Sequence, residues 1–254
     1  MQGTSQRSES LQQQLVFGES PVFHSFANFA ARLCLKGLFG SIARIRVVGL
    51  DRARQPGGFL LAGNHISHFD PFIISSVIMR KIDWMAMAEF FPLPVLGFIL
   101  RAVDAFPAQR DRANRATIRT AMMRLQQGRI VGIFPEGGIR DGSRSVLEGA
   151  PLRRGASTLA HLAGVPILPC VIVGSDRLYA WKGWIPFRRT PLWIAFGEMI
   201  PCHPGAEKSE TRARTEQQLA AAFTSLYAEL RARFALRPED LPRPPRERMY
   251  PAAS

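Results

Sequence analysis

The 254-residue chain is short of cysteine, short of lysine and free of any long unbroken apolar run, and each shortage excludes something. Cys34, Cys170 and Cys202 are odd in number and carry no paired spacing. They encode neither a disulfide framework nor a thiolate metal site, and a reducing compartment suits them. No stretch approaches the roughly 18 consecutive apolar residues that a spanning helix needs. The longest apolar runs, around 90–100 and 163–173, contain prolines and read as buried elements. Met1–Gln14 is polar and rich in Gln and Ser, with no apolar segment behind a basic one, so no secretory signal is read. Three motifs are missing as well: the Gly-x-Ser-x-Gly elbow, the Gly-x-x-x-x-Gly-Lys-Ser/Thr phosphate loop and the Gly-x-Gly-x-x-Gly dinucleotide turn. No serine or cysteine nucleophile stands out, so catalysis would act on a substrate hydroxyl directly.

What is present in excess is positive charge. The formal net charge is +13, and only Lys36, Lys81, Lys182 and Lys208 among 33 basic residues are lysine, which leaves 29 arginines. Arginine binds phosphates and carboxylates through a planar, bidentate fork, although a GC-rich genome enriches it equally well. Nucleic acid, an anionic membrane surface and phosphorylated small substrates are the three polyanions in competition. With 46% hydrophobic residues, the chain can bury a large core within one domain.

The apolar pattern divides the chain into a polar, disordered head (1–20), an amphipathic segment (21–43), one catalytic domain (44–236) and a Pro/Arg-rich disordered tail (237–254) holding five prolines in eighteen residues. Val22–Ile42 places Phe23, Phe26, Phe29, Leu33, Leu38 and Ile42 at mostly helical spacing, as one helix or two short ones. Its aromatic content and Arg/Lys flank weigh a membrane-interface helix evenly against a helix capping the core. Beyond it, runs at 45–48, 59–62, 84–88, 102–106, 130–134, 165–173 and 192–196 read as strands. Segments 70–79, 93–101, 112–127 and 152–163 read as helices, with Gly128 and Gly164 as stops. The alternation predicts an α/β fold: a single layered domain with a mixed, largely parallel sheet flanked by helices. A last helix, about 208–234, stacks Leu219, Phe223, Leu226, Tyr227, Leu230 and Phe234 on one face as core.

In such sheets the loops after the strands build the site. One of them reads Gly63-Asn64-His65-Ile66-Ser67-His68-Phe69-Asp70-Pro71. A carboxylate five residues on can fold back on His65, fix one tautomer and stabilise the imidazolium, which makes His65 a positioned general base. Two other readings stay open on spacing alone: Asp70 as a plain helix cap before Pro71 beside surface histidines, and a metal site of His65, His68 and Asp70, for which no distant third ligand cluster is visible. A second loop, Phe134-Pro135-Glu136-Gly137-Gly138-Ile139-Arg140-Asp141-Gly142, follows the strand at 130–134. Its glycines free backbone N–H groups for an oxygen-rich ligand, with Arg140 beside them. A solvated glycine-rich turn would look the same.

Taken together and in this order, the blocks resemble the family of glycerolipid acyltransferases that acylate 1-acylglycerol-3-phosphate. Asn64-His65-x-x-x-x-Asp70 resembles its His-x4-Asp block, and Phe106-Pro107-Ala108-Gln109-Arg110 the block ending in Arg. Phe134-Pro135-Glu136-Gly137 resembles the third block and Val165-Pro166-Ile167-Leu168-Pro169-Cys170 the fourth, all within about Arg44–Gly197. The resemblance implies that His65 is the base, that Asp70 orients it and that Arg110 binds the acceptor phosphate. It further implies that Glu136 and Gly137 shape the acceptor site and that Pro169 is structural. Where the family continues Glu-Gly-Thr-Arg, this chain has Glu136-Gly137-Gly138-Ile139-Arg140: the Thr is lost and the Arg comes one position later, where it could reach the same phosphate or serve another acceptor.

The expected reaction is acyl transfer from a fatty acyl thioester, acyl-CoA or acyl-ACP, to the free hydroxyl of lysophosphatidate, giving phosphatidate for phospholipid biosynthesis without an acyl-enzyme. Backbone N–H groups near His65 would stabilise the oxyanion. No cofactor and no metal are expected, the thioester being a co-substrate. The expected partners are a membrane phospholipid surface, a lysophospholipid acceptor and acyl-CoA or acyl carrier protein, with no nucleic acid, and the expected location is the cytoplasmic membrane face, peripheral or monotopic. Between Arg101 and Arg154, eleven Arg face five acidic residues. Four of them, Arg112, Arg115, Arg119 and Arg124, read as the solvated face of one helix. The rival readings are the same chemistry on another lysophospholipid or an amino-acid lipid, and, from a different class, a basic nucleic-acid-binding protein.

Overall fold

The computed structural model describes residues 21–102, 104–108, 115–153, 155–202 and 209–250. A long helix, α1 (Pro21–Ile42), runs directly into strand β1 (Ala43–Val48). Then follow β2 (Phe59–Gly63), α2 (Asp70–Val77), β3 (Ile82–Met87), α3 (Pro94–Ala102), β4 (Phe106–Ala108), α4 (Arg115–Gln126), β5 (Ile130–Ile133), α5 (Ala156–Ala163), β6 (Ile167–Val173), β7 (Thr190–Phe196), α6 (Ser209–Arg233) and α7 (Pro245–Met249). The seven strands form one sheet in the order β1-β7-β6-β2-β5-β3-β4, parallel except where β6 meets β7. This is the layered, largely parallel architecture that the alternation predicted. The central strands β2, β5 and β6 are buried at every residue, as continuous apolar runs in a sheet covered on both faces must be.

Two apolar clusters lie on opposite faces of the sheet. One joins Leu60, Ala62, Val131 and Val171 to Leu125 of α4, Leu159 of α5 and Leu219, Phe223 and Leu230 of α6. The other joins Phe59, Leu61, Leu168 and Ile172 to Phe39 and Ile42 of α1 and Ile73 and Ile74 of α2. Because strand side chains alternate, Leu60 and Leu61 serve opposite clusters.

Several expectations are corrected. The amphipathic segment is one helix, packed through Leu35, Phe39 and Ile42, while Phe29, Leu33 and Leu38 stay exposed. The strand expected at 102–106 begins only at Phe106, because Asp104 N–H bonds to the Arg101 carbonyl and Ala105 N–H to that of Leu100, so these residues finish the last turn of α3. Arg124 does not belong to a solvated helix face. It is buried against the Phe106 ring, 3.7 Å from Asp83. The tail expected to be disordered is structured up to Tyr250. Arg248 pairs with buried Asp176 at 2.6 Å and Asp240 with Arg177 at 2.5 Å, so ion pairs replace the apolar contacts that its composition lacks.

Candidate active site

Strand β2 ends at Gly63, level with Cys170 of β6. Asn64 extends that ladder with its side chain: its amide N–H donates to the Ile172 carbonyl at 3.0 Å, and its amide oxygen accepts from Ile172 N–H at 2.7 Å. The next residue, His65, is thereby anchored at the C-terminal end of a central strand. Its ring stacks on Phe134 at 4.1 Å between centroids, and Phe134 stacks on Trp84 at 5.0 Å. Such parallel, closely spaced rings fix the plane of the imidazole. Gly132 makes room for the stack, since a Cβ there would sit 2.5 Å from the Trp84 ring.

Asp70 lies in the first turn of α2, yet its carboxylate does not cap that helix. It folds back, and Oδ2 stands 2.9 Å from His65 Nδ1 while accepting the N–H groups of Ile66 and Ser67 at 2.9 and 2.8 Å. Oδ1 accepts the hydroxyl of Ser175 at 2.5 Å. Asp70 is fully buried, and a buried carboxylate surrounded by donors takes its fourth hydrogen bond from Nδ1–H. The lone pair of His65 is then left on Nε2, which meets no acceptor or donor among the described residues. A tautomer set from behind by a buried carboxylate, with the outer nitrogen free, is a base that can take a proton from a bound hydroxyl.

The second loop meets the first from the side. Glu136 is buried, and its two oxygens are spent on structure: Oε2 accepts His65 N–H at 2.5 Å, while Oε1 accepts the Ser145 hydroxyl at 2.9 Å and Val146 N–H at 2.8 Å. Burial pushes its carboxyl above the ordinary range, opposed by the Val146, His65 and Ser145 hydrogen bonds. Arg140 N–H completes the seam by donating to the His65 carbonyl at 2.8 Å. Glu136 therefore acts from behind His65 and not on an acceptor face. Gly137 (φ 67°) and Gly138 (φ 154°) turn the loop through conformations that side chains resist.

The N–H groups of residues 65–68 are all engaged. Those of His65, Ile66 and Ser67 go to the two carboxylates, and that of His68 goes to the Tyr179 hydroxyl at 3.1 Å. None of these four N–H groups is free to serve as an oxyanion donor. Gly138 and Ile139 are among the loop residues whose N–H groups meet no acceptor among the described residues, and the Arg140 guanidinium is likewise without a partner there.

His68 turns away from the pair, with Nδ1 2.6 Å from the Tyr179 hydroxyl, so His65, His68 and Asp70 do not converge as ligands would. Burial holds the His68 imidazole below its ordinary value, with the like charge of His65 adding to the effect and Asp70 opposing it. Among the described residues no group of three His, Cys, Asp or Glu could hold a metal ion. Arg110 lies outside the described residues. Sequence reasoning missed Ser175, which reaches Asp70 from 105 positions away; the available signal was a hydroxyl in the turn directly after a fully apolar strand. Tyr179, at the end of the same turn, was missed for the same reason.

The His65–Asp70 pair thus stands at the end of a central parallel strand, with a glycine loop beside it. The family model described as Acyltransferase matches residues 44–173, which hold both loops, and the chain belongs to that acyltransferase family. It is 29% identical over 167 residues to the 1-acyl-sn-glycerol-3-phosphate acyltransferase of Bacillus subtilis (strain 168), covering 65% of this chain and 78% of that protein. It is also 29% identical over 219 residues to the lysophospholipid acyltransferase LPCAT4 of Homo sapiens, covering 79% of this chain but 39% of that longer protein. The fold is that of the 1-acyl-sn-glycerophosphate (LPA) acyltransferase PlsC from Thermotoga maritima, with a TM-score of 0.54 and 21% identity, covering 90% of this chain and 84% of that one.

Proposed function

We propose that this acyltransferase moves a fatty acyl group from a coenzyme A or acyl carrier protein thioester to the free hydroxyl of lysophosphatidate, releasing phosphatidate and the thiol. The observation that carries the reading is His65: its Nδ1 is committed to Asp70 and its Nε2 faces no protein partner among the described residues. Nε2 takes the hydroxyl proton as the oxygen attacks the thioester carbonyl. The tetrahedral oxyanion then collapses, the C–S bond breaks, and the departing thiolate takes the proton back from the imidazolium. General-base help of this kind is worth about 10²–10⁴ in rate. In this reading the unclaimed N–H groups of Gly138 and Ile139 serve an oxyanion or a phosphate, and Arg140 an anionic acceptor. The named activity of the Bacillus relative favours lysophosphatidate as that acceptor.

A second reading, another lysophospholipid as acceptor, draws on the Gly138-Ile139 departure and on the human relative's name. A panel of acceptors with one acyl donor decides between them: preference for lysophosphatidate supports the first, and preference for a phosphate-free or choline-bearing acceptor overturns it.

The enzyme is read as membrane-associated, at the cytoplasmic face. No helix among the described residues is long and apolar enough to cross a membrane. Support for surface attachment comes from the outer face of α1, where Phe29, Leu33 and Leu38 are exposed, and from α3, which exposes Phe98 and Ile99. Exposed large apolar residues clustered on two contacting helices mark an interaction surface.

A further inference from the structure

We infer that the cleft between the β6–β7 connection and the C-terminal segment is a binding site for the phosphate headgroup of an anionic lipid, a second hold on the membrane apart from α1. The inference rests on the membrane reading above and adds the ligand class and the residues. The cleft has a volume of about 330 Å³ and is lined by Arg177, Lys182, Arg188, Arg243, Glu247 and Arg248, among smaller residues. Two of these cations are neutralised inside the protein, Arg177 by Asp240 at 2.5 Å and Arg248 by Asp176 at 2.6 Å. The side chains of Lys182, Arg188 and Arg243 meet no counter-ion among the described residues, and Glu247 is the only carboxylate lining the cleft. Three free cations against one carboxylate, gathered in a concave site, attract a phosphate.

The neighbouring aromatic residues identify its source. Trp181 (71% exposed) and Phe187 (83%) adjoin the lining residues Lys182 and Arg188 in the chain, and Tyr250 (79%) lies two positions beyond Arg248. A cleft built for a free, soluble phosphate gains nothing from aromatic rings standing in water, whereas rings beside cations suit the boundary between headgroups and acyl chains. Phe187 is held outward deliberately: it adopts a left-handed φ of 65°, as does Arg189 at 56°, conformations that non-glycine residues adopt only when their surroundings impose them. Phe187 N–H donates to the Ser41 carbonyl in the last turn of α1, at 2.9 Å, three residues beyond exposed Leu38, which fastens the loop beside the cleft to the C-terminal end of α1. The cleft also lies directly behind the dyad, since the turn Ser175–Tyr179 carries Ser175 to Asp70 and Tyr179 to His68 with Arg177 between them.

Cosedimentation of the full chain with phosphatidylcholine vesicles, with and without phosphatidylglycerol, tests the site. Each cation near an anionic surface contributes about 1 kcal/mol, so Lys182→Gln/Arg188→Gln/Arg243→Gln should weaken binding to the anionic vesicles on the order of 100-fold and leave binding to the neutral ones unchanged. All three positions are exposed, and a thermal melt verifies folding; the single variants Lys182→Gln and Arg188→Gln, each expected to lose about fivefold, serve if the triple variant melts early. Affinity for anionic vesicles within about twofold of the wild type in a folded triple variant would overturn the site. Displacement from anionic vesicles by inorganic phosphate or coenzyme A, at an ionic strength where chloride does not displace, would overturn the lipid as its source. A wild-type chain that sediments with neither vesicle would instead overturn the membrane reading itself, and because the readout is binding, neither result depends on which acceptor the enzyme uses.

Discussion

The His65–Asp70 pair is held in place because other residues spend their hydrogen bonds on it. Replacing His65 by Ala should remove about 10²–10⁴ of the turnover rate while leaving the melting temperature close to that of the wild type, since the ring lies at the surface end of its stack. Ser175 is a positioning residue whose hydroxyl satisfies Oδ1 of a fully buried carboxylate. Ser175→Ala strands that oxygen at a cost of about 1–3 kcal/mol, and we expect kcat to fall about tenfold, with KM little changed and the acid limb of the pH–rate profile displaced; an unaltered profile would reduce Ser175 to packing. Glu136→Gln is predicted to be as harmful as a larger change. An amide must present N–H to either the His65 N–H or the Ser145–Val146 donors, so one donor faces another. His65 and Asp70 were legible in the sequence because both sit on one short loop. Glu136 was legible as a position but not as a role, since nothing in a linear pattern tells a buried acceptor of N–H groups from a group facing substrate. Ser175 was legible only as a hydroxyl after an apolar strand and not by its role, because its partner is distant in the chain and meets it only when β2 and β6 pair.

At the level of elements, the strands were readable because β2, β5 and β6 are buried on both faces and so appear as unbroken apolar runs. Their order was not: an antiparallel β6–β7 pair inside a parallel sheet leaves no mark on hydropathy. Helix α1 was readable by its period, but the side it buries was not, because Phe29 and Leu33 are as apolar as Phe39 and only the docking against the sheet chooses between them. The ring stack His65–Phe134–Trp84 ties three elements together, and Gly132 on β5 is its weakest point. Gly132→Ala places a methyl group against Trp84, an overpacking that costs about 1–3 kcal/mol. Differential scanning calorimetry should show a melting temperature several degrees lower, accompanied by a reduced kcat as the imidazole loses its platform; an unshifted melt would mean that the rings do not constrain one another.

Over the whole molecule, part of the arginine content is structural. Arg124 and Arg129 serve Asp83, Arg177 serves Asp240 and Arg248 serves Asp176; these carboxylates are already subtracted in the net +13, so the pairs occupy particular arginines without lowering the surplus, and the tail that composition marked as disordered is held by two of those pairs. Arg248→Ala leaves Asp176 buried without its ion partner, a loss on the order of 3–5 kcal/mol, read as a lower denaturation midpoint. Acid is expected to weaken the fold through His68. Its folded pKa lies below the ordinary 6.5, so the unfolded chain binds the proton more tightly, and stability present above that value declines as the pH falls below it. His68→Gln should flatten the fall in melting temperature between about pH 7 and pH 5; an equal fall in both proteins would place the acid sensitivity elsewhere. The central claim, acyl transfer by a His65–Asp70 base, is tested most directly by supplying purified wild-type and His65→Ala protein with lysophosphatidate and acyl-CoA in lipid vesicles and measuring phosphatidate and free thiol together. Equal amounts of the two products are expected from the wild type and a rate lower by about 10²–10⁴ from His65→Ala; near-normal turnover by His65→Ala would rule the base out.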